Sequence, residues 1–469
     1  MKPRGELAIV LHTHMPYVEG GAPWPPAEES AFLREPDGFG VWPFGEEWLW
    51  EAVATSYLPL LEVLGRAPIT LSLTPVLCDQ LEAPGAIDRC LRFLTEVRPE
   101  SHRRDLQHFR DRGEEAVLPE LERSAAGYAA AAERLAALPA SGLVGELGRH
   151  AGWTSAATHA VLPLLASDPG INLQIQTGVA SHRRRFDNWR GGFWLPECAY
   201  APWLDEVLEE AGVRGVCVEL AHCHLRPLAT EAGPVLWPID RQTISLVWSQ
   251  RGYPAGDAYR DYHGHTPHHH RVWRNDGRPY DAALARAQVD EDARDFVARV
   301  GQRLQDGGVC VFALDTELLG HWWYEGVWWL DAVLEESARQ GLRLTTLDDA
   351  LERHDPDPVP PDLGVTSWGA GGDLRTWSGP AVADLAWLAR SAELRALTLD
   401  GPPSDRALRE LLALQSSDWA FLAASGTAGT YPRERAHAHA RAFAEALERP
   451  AAVGPELRNL APELVGWGG

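Results

Sequence analysis

Lysine is almost absent from this chain of 469 residues, and Lys2 is the only one. Its scarcity excludes a Walker lysine, a Schiff-base lysine and a pyridoxal-phosphate lysine at every interior position. The chain also has no G-x-G-x-x-G loop, no G-x-S-x-G elbow and no H-E-x-x-H pair. Dinucleotide binding, serine hydrolysis and zinc proteolysis therefore lack their usual sequence support.

Cysteine and long apolar runs are also scarce. The six cysteines, at positions 78, 90, 198, 217, 223 and 310, form no C-x-x-C pair. Cys217 and Cys223 could in principle form a disulfide, but nothing else in the sequence supports one. All six are interpreted as reduced thiols, mostly in the core. No apolar run reaches membrane length, and the start MKPRGELAIVLHTH is too polar for a signal peptide. A cytoplasmic protein without a membrane partner is expected.

Positive charge is in deficit, with 66 acidic against 43 basic residues and a formal net charge of −23. Such a surface repels nucleic acid and anionic membranes, so a neutral or cationic partner is expected. In contrast, tryptophan is abundant, with 20 residues. Flat rings with one polar edge suit binding faces, although burial in a large core is the favoured interpretation for most of them.

Short apolar runs alternate with helical patterns along most of the chain, as in parallel α/β proteins. Helices are predicted at 45–64, 204–211 and 327–340. The predicted strands are 7–11, 69–74, 192–195, 214–220, 309–314 and 342–347. This alternation predicts an α/β fold, most economically a barrel, with an open doubly wound sheet as the alternative.

Composition divides the chain into three parts. Residues 1–84 and 141–353 carry the alternating pattern and are predicted to form the barrel. The charged, alanine-rich interval 85–140 predicts a peripheral helical insertion. A proline-rich stretch at 354–364 begins a C-terminal region, 354–469, that is predicted to be helical.

The candidate chemistry follows the predicted strands, because functional residues of parallel barrels gather at the carboxyl ends. LAIVL is followed by His12 and His14, GFWL by Glu197, and VCVFAL by Asp315. A carboxylate among apolar neighbours, as in GFWLPECAY, is disfavoured unless it is paired, hydrogen-bonded or protonated. Two facing carboxylates are what glycosidic cleavage needs, one to attack the anomeric carbon and one to protonate the leaving oxygen.

Other interpretations of these residues compete. Glu197 alone could serve as an acid at a helix N-terminus. His12 and His14, or the histidine-rich stretch 263–270, could bind Zn or Ni, but a solvated loop is the favoured interpretation of 263–270. Cys198 is more simply a packing residue than a nucleophile, because burial raises the pKa of a thiol.

The longest motifs are HTHMP, ATHAVLPLL (157–165), GFWLPECAY, DTELLGHWWYEG and SSDWAFL. In these segments and their order, the chain resembles glycoside hydrolase family 57, in its 1,4-α-glucan branching-enzyme type, over nearly its whole length. The resemblance implies a (β/α)7-type barrel, a helical insertion and a C-terminal helical domain that completes the cleft. It also implies a retaining double displacement with no cofactor and no metal.

The resemblance further implies roles for individual residues. Glu197 would be the nucleophile and Asp315 the general acid/base. Substrate contacts are implied for histidines, tryptophans and one further acid: His12, His14, Trp42, His159, Trp248, His321, Trp322, Trp368, Trp377 and Asp418. Residue type alone leaves His159 as an ordinary helix-face histidine and leaves Trp368 and Trp377 as interdomain packing. The implied partner is an α-glucan such as amylose, glycogen or a maltooligosaccharide.

Two segments depart from the family pattern. Residues 18–40 form an additional loop, and the interval 223–240 has no tyrosine where branching enzymes carry a mobile loop with one. Such a loop shields a reactive intermediate from water. Its absence predicts a shift from transfer toward hydrolysis. Branching is the first expectation, an α-amylase-like hydrolase the second, and a non-catalytic glucan-binding protein the third.

Overall fold

The computed structural model describes residues 5–19, 30–34, 44–220, 225–449, 457 and 459–467. Its centre is a sheet of short strands, most of them almost entirely buried, with β9 and β10 as the exceptions. The strands are β1 Glu6–Thr13, β2 Thr70–Leu73, β3 Trp153–Ser155, β4 Gly192–Trp194, β5 Gly215–Val218, β6 Leu228–Ala229, β7 Val235–Pro238, β8 Val309–Asp315, β9 Arg343–Thr345 and β10 Asp357–Pro358.

Seven of these strands run parallel and curl into a barrel, in the order β8-β1-β2-β3-β4-β5-β7. Ile239, directly after β7, bridges in parallel to Val311 of β8, and Asp240 N donates to Val311 O at 2.9 Å. This contact joins the two edges of the sheet. The (β/α)7-type barrel fold is therefore confirmed, while β6 pairs antiparallel with β7 and lies outside the parallel series.

The helices surround this sheet. They are α1 Glu46–Ala52, α2 Leu58–Leu64, α3 Pro75–Leu81, α4 Ala86–Arg92, α5 Arg98–Asp111, α6 Leu118–Ala136, α7 Gly142–Gly148, α8 Asp168–Arg185, α9 Asp205–Glu210, α10 Arg241–Trp248, α11 Ala282–Arg303, α12 Gly326–Gln340, α13 Leu347–Leu351, α14 Arg375–Ser378, α15 Ala383–Leu397, α16 Asp405–Leu414, α17 Ser417–Ser425 and α18 Tyr431–Glu448. A wide π-helical turn, Val53–Tyr57, joins α1 to α2, and another, Phe93–Val97, joins α4 to α5.

The interval 86–136 is helical, as predicted, and so are most described residues from 375 to 448. The proposed boundaries 85–140 and 354–469 stay predictions. The helices near the C-terminus return to the barrel at one place: Ser417 N donates to His159 O at 3.0 Å, and Ser416 forms a bridge with Ala160. This contact brings the start of α17 to the carboxyl end of the strands.

The five described cysteines, at positions 78, 90, 198, 217 and 310, are buried and unpaired, and Cys223 lies outside the described residues. Within the described part of the chain, no helix combines the length and apolar character that crossing a bilayer requires. The sequence assigned these cysteines to the core, and the described ones lie there.

Candidate active site

Three strands deliver the predicted residues to one end of the barrel. His12 lies near the end of β1 and is in register with Asp315, the last residue of the neighbouring β8. Glu197 follows β4 by three residues, in the turn Pro196–Cys198. Because the strands are parallel, their carboxyl ends meet at the same rim, and the structure brings both predicted carboxylates there.

Glu197 sits on an unusual backbone. Its φ and ψ are 62° and 19°, and Cys198 follows with φ 48°. The left-handed region is costly for residues with a Cβ, by roughly 1–3 kcal/mol each, and such strain concentrates at functional sites. The backbone oxygen of Glu197 accepts from Trp368 N at 3.1 Å. The turn after β4 is thus held in a strained form that presents the carboxylate.

Two donors hold the Glu197 carboxylate. Trp368 Nε1 donates to Oε2 at 2.9 Å, and Ser417 Oγ donates to Oε1 at 2.8 Å. Burial raises the pKa of Glu197, while these two hydrogen bonds act against the rise. Both hydrogen bonds favour the ionised form. A buried carboxylate among apolar residues is disfavoured unless it has partners, and these two hydrogen bonds provide them.

A stack of imidazoles fills the space beside this carboxylate. The rings of His14 and His159 lie 4.0 Å apart, and His12 stacks on His159 at 4.9 Å and on Trp194 at 4.5 Å. His159 also has positive φ, 60°, so it is not the ordinary helix-face histidine that residue type alone allowed. The structure therefore brings together three of the four histidines that the sequence selected, His12, His14 and His159.

Hydrogen bonding fixes the direction of a proton chain through these rings. Ser417 has one hydroxyl proton, and it donates to Glu197, so His159 Nδ1, 2.8 Å from Ser417 Oγ, must carry a hydrogen. A neutral His159 then accepts at Nε2 from His12 Nε2 at 2.9 Å. His12 Nδ1 in turn accepts from Ser72 Oγ at 3.2 Å. We call this series the Ser72–Glu197 chain.

The electrostatics agree with neutral rings in the Ser72–Glu197 chain. Burial lowers the pKa of both His12 and His159, and neighbouring imidazoles lower it further. His14 differs from them. Burial acts to lower its pKa, but the Asp418 carboxylate, 3.0 Å from His14 Nε2, raises it overall. Asp418 thus reaches in from α17 to pair with a barrel histidine.

Asp315 has a different environment from Glu197. Burial raises its pKa well above the usual value, and the negative charges of Glu317 and Glu197 raise it further. None of the hydrogen bonds among the described residues reaches its carboxyl group, whereas Glu197 accepts two. Two nearby carboxyls whose surroundings separate their pKa values can act as acid and as base or nucleophile. Of the two, Asp315, with a raised pKa and no hydrogen bond to its carboxyl group among the described residues, is the candidate for the protonated partner.

Glu317 is a third carboxylate that the sequence did not select, although it lies in DTELLGHWWYEG. Its Oε1 accepts from Tyr57 Oη at 2.7 Å and from His14 N at 3.1 Å, and burial raises its pKa to about 7. Tyr57 belongs to the π-helical turn Val53–Tyr57. Gly320, with φ 94°, lets the loop approach that turn, since a Cβ there would lie 2.0 Å from Thr55 O.

The predicted aromatic residues have different outcomes. Trp368 contacts Glu197 directly. Trp322 packs beside His321, whose Nε2 accepts from Trp48 Nε1 at 3.2 Å. Trp377 is buried in an apolar cluster with Val161, Ala199, Val382 and Ala420, as the packing interpretation expected.

Two predicted tryptophans are not placed in the cluster. Trp248 ends α10 with about half its surface exposed, 48%, and among the described residues no hydrogen bond or ring contact joins it to the other site residues. Trp42 lies outside the described residues, as does most of the additional loop 18–40. The cleft-lining roles of both residues stay predictions.

The described residues contain one group that could hold a metal ion. Ligand atoms of His14, His159 and Asp418 all lie within 4.8 Å of one another. In the structure these atoms are engaged with each other and with Ser417. The sequence suggested His12 with His14 as a possible metal pair. The structure instead groups His14 with His159 and Asp418, from other segments.

The favoured interpretation of 263–270 as a solvated loop is wrong for its second half. His268 and His270 are buried, and His270 Nδ1 lies 2.6 Å from Asp105 Oδ2 of α5. The ring of His270 also contacts that of His102, with centroids 3.8 Å apart and planes tilted by 38°, at the same end of the segment. Asp105 is 165 positions from His270 in the sequence. The composition of 263–270 alone could not predict this contact, so the burial was missed.

Comparison with known proteins agrees with the fold and the motifs. The family model described as glycosyl hydrolase family 57 matches residues 153–361, and the model of the 1,4-alpha-glucan branching enzyme C-terminal region matches 386–454. A probable 1,4-alpha-glucan branching enzyme of Mycobacterium tuberculosis is 32% identical, over 99% of this chain and 95% of that protein.

Two archaeal proteins are similarly related. A 1,4-alpha-glucan branching enzyme of Thermococcus kodakarensis is 30% identical, over 98% of this chain and 80% of that protein. The crystal structure of a branching enzyme of this family from Pyrococcus horikoshii has a TM-score of 0.83 at 31% identity, covering 96% of this chain and 91% of that one. This chain belongs to glycoside hydrolase family 57.

Proposed function

We propose that this protein is a 1,4-α-glucan branching enzyme that cleaves an α-1,4 linkage and transfers the released chain to a glucose 6-hydroxyl. The observation that carries the proposal is the unequal pair of carboxylates at one barrel rim, Glu197 with two hydrogen-bond donors and Asp315 with none among the described residues. Relatives named as branching enzymes, matched over almost the whole chain, support the choice of reaction.

In the proposed reaction the ionised Glu197 attacks the anomeric carbon while Asp315 gives its proton to the departing oxygen. A covalent glycosyl-enzyme forms, and the deprotonated Asp315 then removes the proton from the attacking hydroxyl. Retention of configuration follows from the two displacements. His12, His14, His159, Asp418 and Trp368 surround the two carboxylates and are proposed to contact the sugar at the cleavage point.

An α-amylase-like hydrolase is the second candidate, because one feature favours water as acceptor. Most of the described part of the interval 223–240, where a tyrosine-bearing loop was expected, consists of β6 and β7 and their connection. Residues paired in the sheet are not free to cover the rim as a long loop would be. We propose that transfer predominates with measurable hydrolysis, and that the protein acts in the cytoplasm on an α-glucan.

Incubation with amylose separates the two reactions. Transfer increases α-1,6 linkages, measured by proton NMR or by debranching, with little increase in reducing ends. Hydrolysis increases reducing ends alone, and that result would reject the branching proposal in favour of the second candidate. Activity that survives chelation and dialysis would remove a metal at His14, His159 and Asp418 from the mechanism.

The Ser72–Glu197 chain predicts a pH effect. Ser417→Ala removes a donor to the Glu197 carboxylate, so the pKa of Glu197 rises. Because the nucleophile must be ionised, the acid limb of the kcat/KM profile is expected to move about one unit to higher pH. The control is Ser425→Ala on the same helix, whose hydroxyl contacts only Leu422 O and Thr427 among the described residues. An unchanged acid limb would contradict the role of Ser417.

A further inference from the structure

The two roles of Asp315 determine on which side of the cleft the acceptor chain lies. In the proposed reaction this side chain first protonates the departing oxygen and later removes the proton from the attacking hydroxyl. One carboxyl group reaches both oxygens only if the departing chain and the acceptor chain occupy the same space beside it. Residues that hold the acceptor are therefore expected on the loop 316–323, which follows Asp315 directly, and on segments packed against that loop.

The loop 316–323 turns back on itself soon after Asp315. Trp322 N donates to Glu317 O at 3.0 Å, and Glu317 is two residues from Asp315 in the sequence. The negative charge of Glu317 also acts on the Asp315 carboxyl, whose pKa it raises. The backbone of Trp322 is thus held on the Asp315 side of the cleft.

Tyr262 packs against Trp322 from another segment of the chain. The two ring centroids are 5.1 Å apart, with planes tilted by 51°, and both side chains are half-buried. Among the described residues no ring stacks in parallel on Trp322, because its contacts with Trp48 and His321 are edge-on, at 83° and 80°. We call Tyr262 and Trp322 the aromatic rim.

Arg271 joins Tyr262 to the loop that carries Trp322. Its guanidinium carbon lies 4.2 Å from the centroid of the Tyr262 ring, which is a cation–π contact. Its Nη1 donates to the backbone oxygen of His321, next to Trp322, at 2.8 Å. The ring of Tyr262 is therefore positioned relative to the loop before any ligand arrives, and such preorganisation lowers the entropy cost of binding.

The chemistry of the aromatic rim suits a sugar. Tyrosine and tryptophan offer an apolar face together with one polar group, and a glucose unit has C–H bonds on its faces and hydroxyls around its edge. No hydrogen bond among the described residues reaches Tyr262 Oη or Trp322 Nε1. Both groups are therefore available to sugar hydroxyls, while the rings offer faces for stacking.

We propose that the aromatic rim holds the acceptor glucan, with Tyr262 as a specificity-determining residue that stacks on a glucose unit of that chain. The inference rests on the proposed function, because it assigns the acceptor side of the same cleft. The departing chain uses the aromatic rim in the first step, before the acceptor replaces it. Loss of the ring therefore weakens the use of glucan both as donor and as acceptor, whereas a donor with a monatomic leaving group depends on it less.

Two donors given to the full-length protein test the proposal. The leaving group of amylose is a glucan chain, and that of α-maltosyl fluoride is a fluoride ion. Tyr262→Ala is expected to lower kcat/KM for amylose about tenfold relative to kcat/KM for fluoride release. The concentration of maltooligosaccharide acceptor that gives half-maximal α-1,6 transfer should rise by a similar factor. Tyr262→Phe keeps the ring and should lose less than the alanine variant in both measurements.

Tyr253→Ala is the matched control, from the same segment of the chain. Tyr253 is also half-buried, but its Oη donates to Asp295 Oδ2 of α11 at 2.7 Å and its ring packs on Trp329 of α12. Any loss of packing there should affect both donors equally. The ratio of the amylose rate to the fluoride rate is therefore expected to stay at the wild-type value.

A ratio that also stays at the wild-type value in Tyr262→Ala, or a phenylalanine variant as impaired as the alanine variant, would overturn the proposal. An equal fall for both donors in Tyr262→Ala would overturn it too, because that result indicates a structural role. A wild type that uses both donors but forms no α-1,6 linkages would reject branching alone. The comparison of the two donors would still test the aromatic rim, through the departing chain.

Discussion

Replacing Glu197 with Gln is expected to lower kcat on amylose on the order of 10⁴-fold, the scale of loss when one member of a catalytic unit is removed. An amide oxygen is a poor nucleophile. It also offers one acceptor where the carboxylate accepts from both Trp368 and Ser417. Glucan binding is expected to persist, because the histidines and tryptophans that surround the position remain. The measurements are kcat from combined branch and reducing-end assays, and Kd for a maltooligosaccharide by calorimetry.

Glu219→Gln is the matched control for this experiment. Glu219 directly follows β5, the strand beside β4, and pairs with Arg241 at 2.6 Å. It therefore stands at the same end of the barrel without joining the cluster at Glu197. Its loss is expected to leave kcat within a few fold. Turnover that survives in Glu197→Gln at a level near the control would refute the nucleophile assignment and reopen the glucan-binding alternative.

The sequence correctly predicted the strands that are apolar runs followed at once by candidate site residues. LAIVL, GFWL and VCVFAL correspond to β1, β4 and β8, and the residues after them meet at one rim. β3 was missed because Trp153–Ser155 is short and two of its three residues are polar. Those polar side chains bond within the barrel, as when Ser155 Oγ donates to Trp194 O at 2.8 Å. A strand whose inward side chains are polar lacks the apolar run by which the other strands were predicted.

Part of the site was beyond sequence reasoning for a different reason. Ser417, the first residue of α17, reaches Glu197 across 220 positions of the sequence. The left-handed backbone at Glu197 is likewise set by contacts from other segments, since glutamate does not favour that conformation. The motifs SSDW and GFWLPECAY marked these segments. Only the tertiary structure showed that a hydroxyl of one is bonded to the carboxylate of the other.

Asp315→Asn is expected to lower kcat on amylose by roughly 10³-fold, within the range of general acid–base catalysis. The loss should depend on the leaving group. The fluoride ion of a glycosyl fluoride departs without needing a proton. The attack of Glu197 on that substrate should therefore be slowed far less. The second step still lacks its base, and a glycosyl-enzyme should accumulate. Mass spectrometry of the intact variant should show the added sugar, and the double variant with Glu197→Gln should not. An equal loss in the rate of glycosyl-enzyme formation from both substrates would contradict an acid role for Asp315.

The pH profile tests why Asp315 holds its proton. Burial, then the charges of Glu317 and Glu197, raise the pKa of Asp315, so the active protonated form is lost as pH rises through that pKa. The wild type should therefore show an alkaline limb, which Asp315→Asn should lack. Glu317→Gln keeps an oxygen for Tyr57 but removes one of the negative charges. Its alkaline limb is expected at lower pH, because less charge opposes ionisation of Asp315. A limb that stays in place would assign the raised pKa of Asp315 to burial and Glu197 alone.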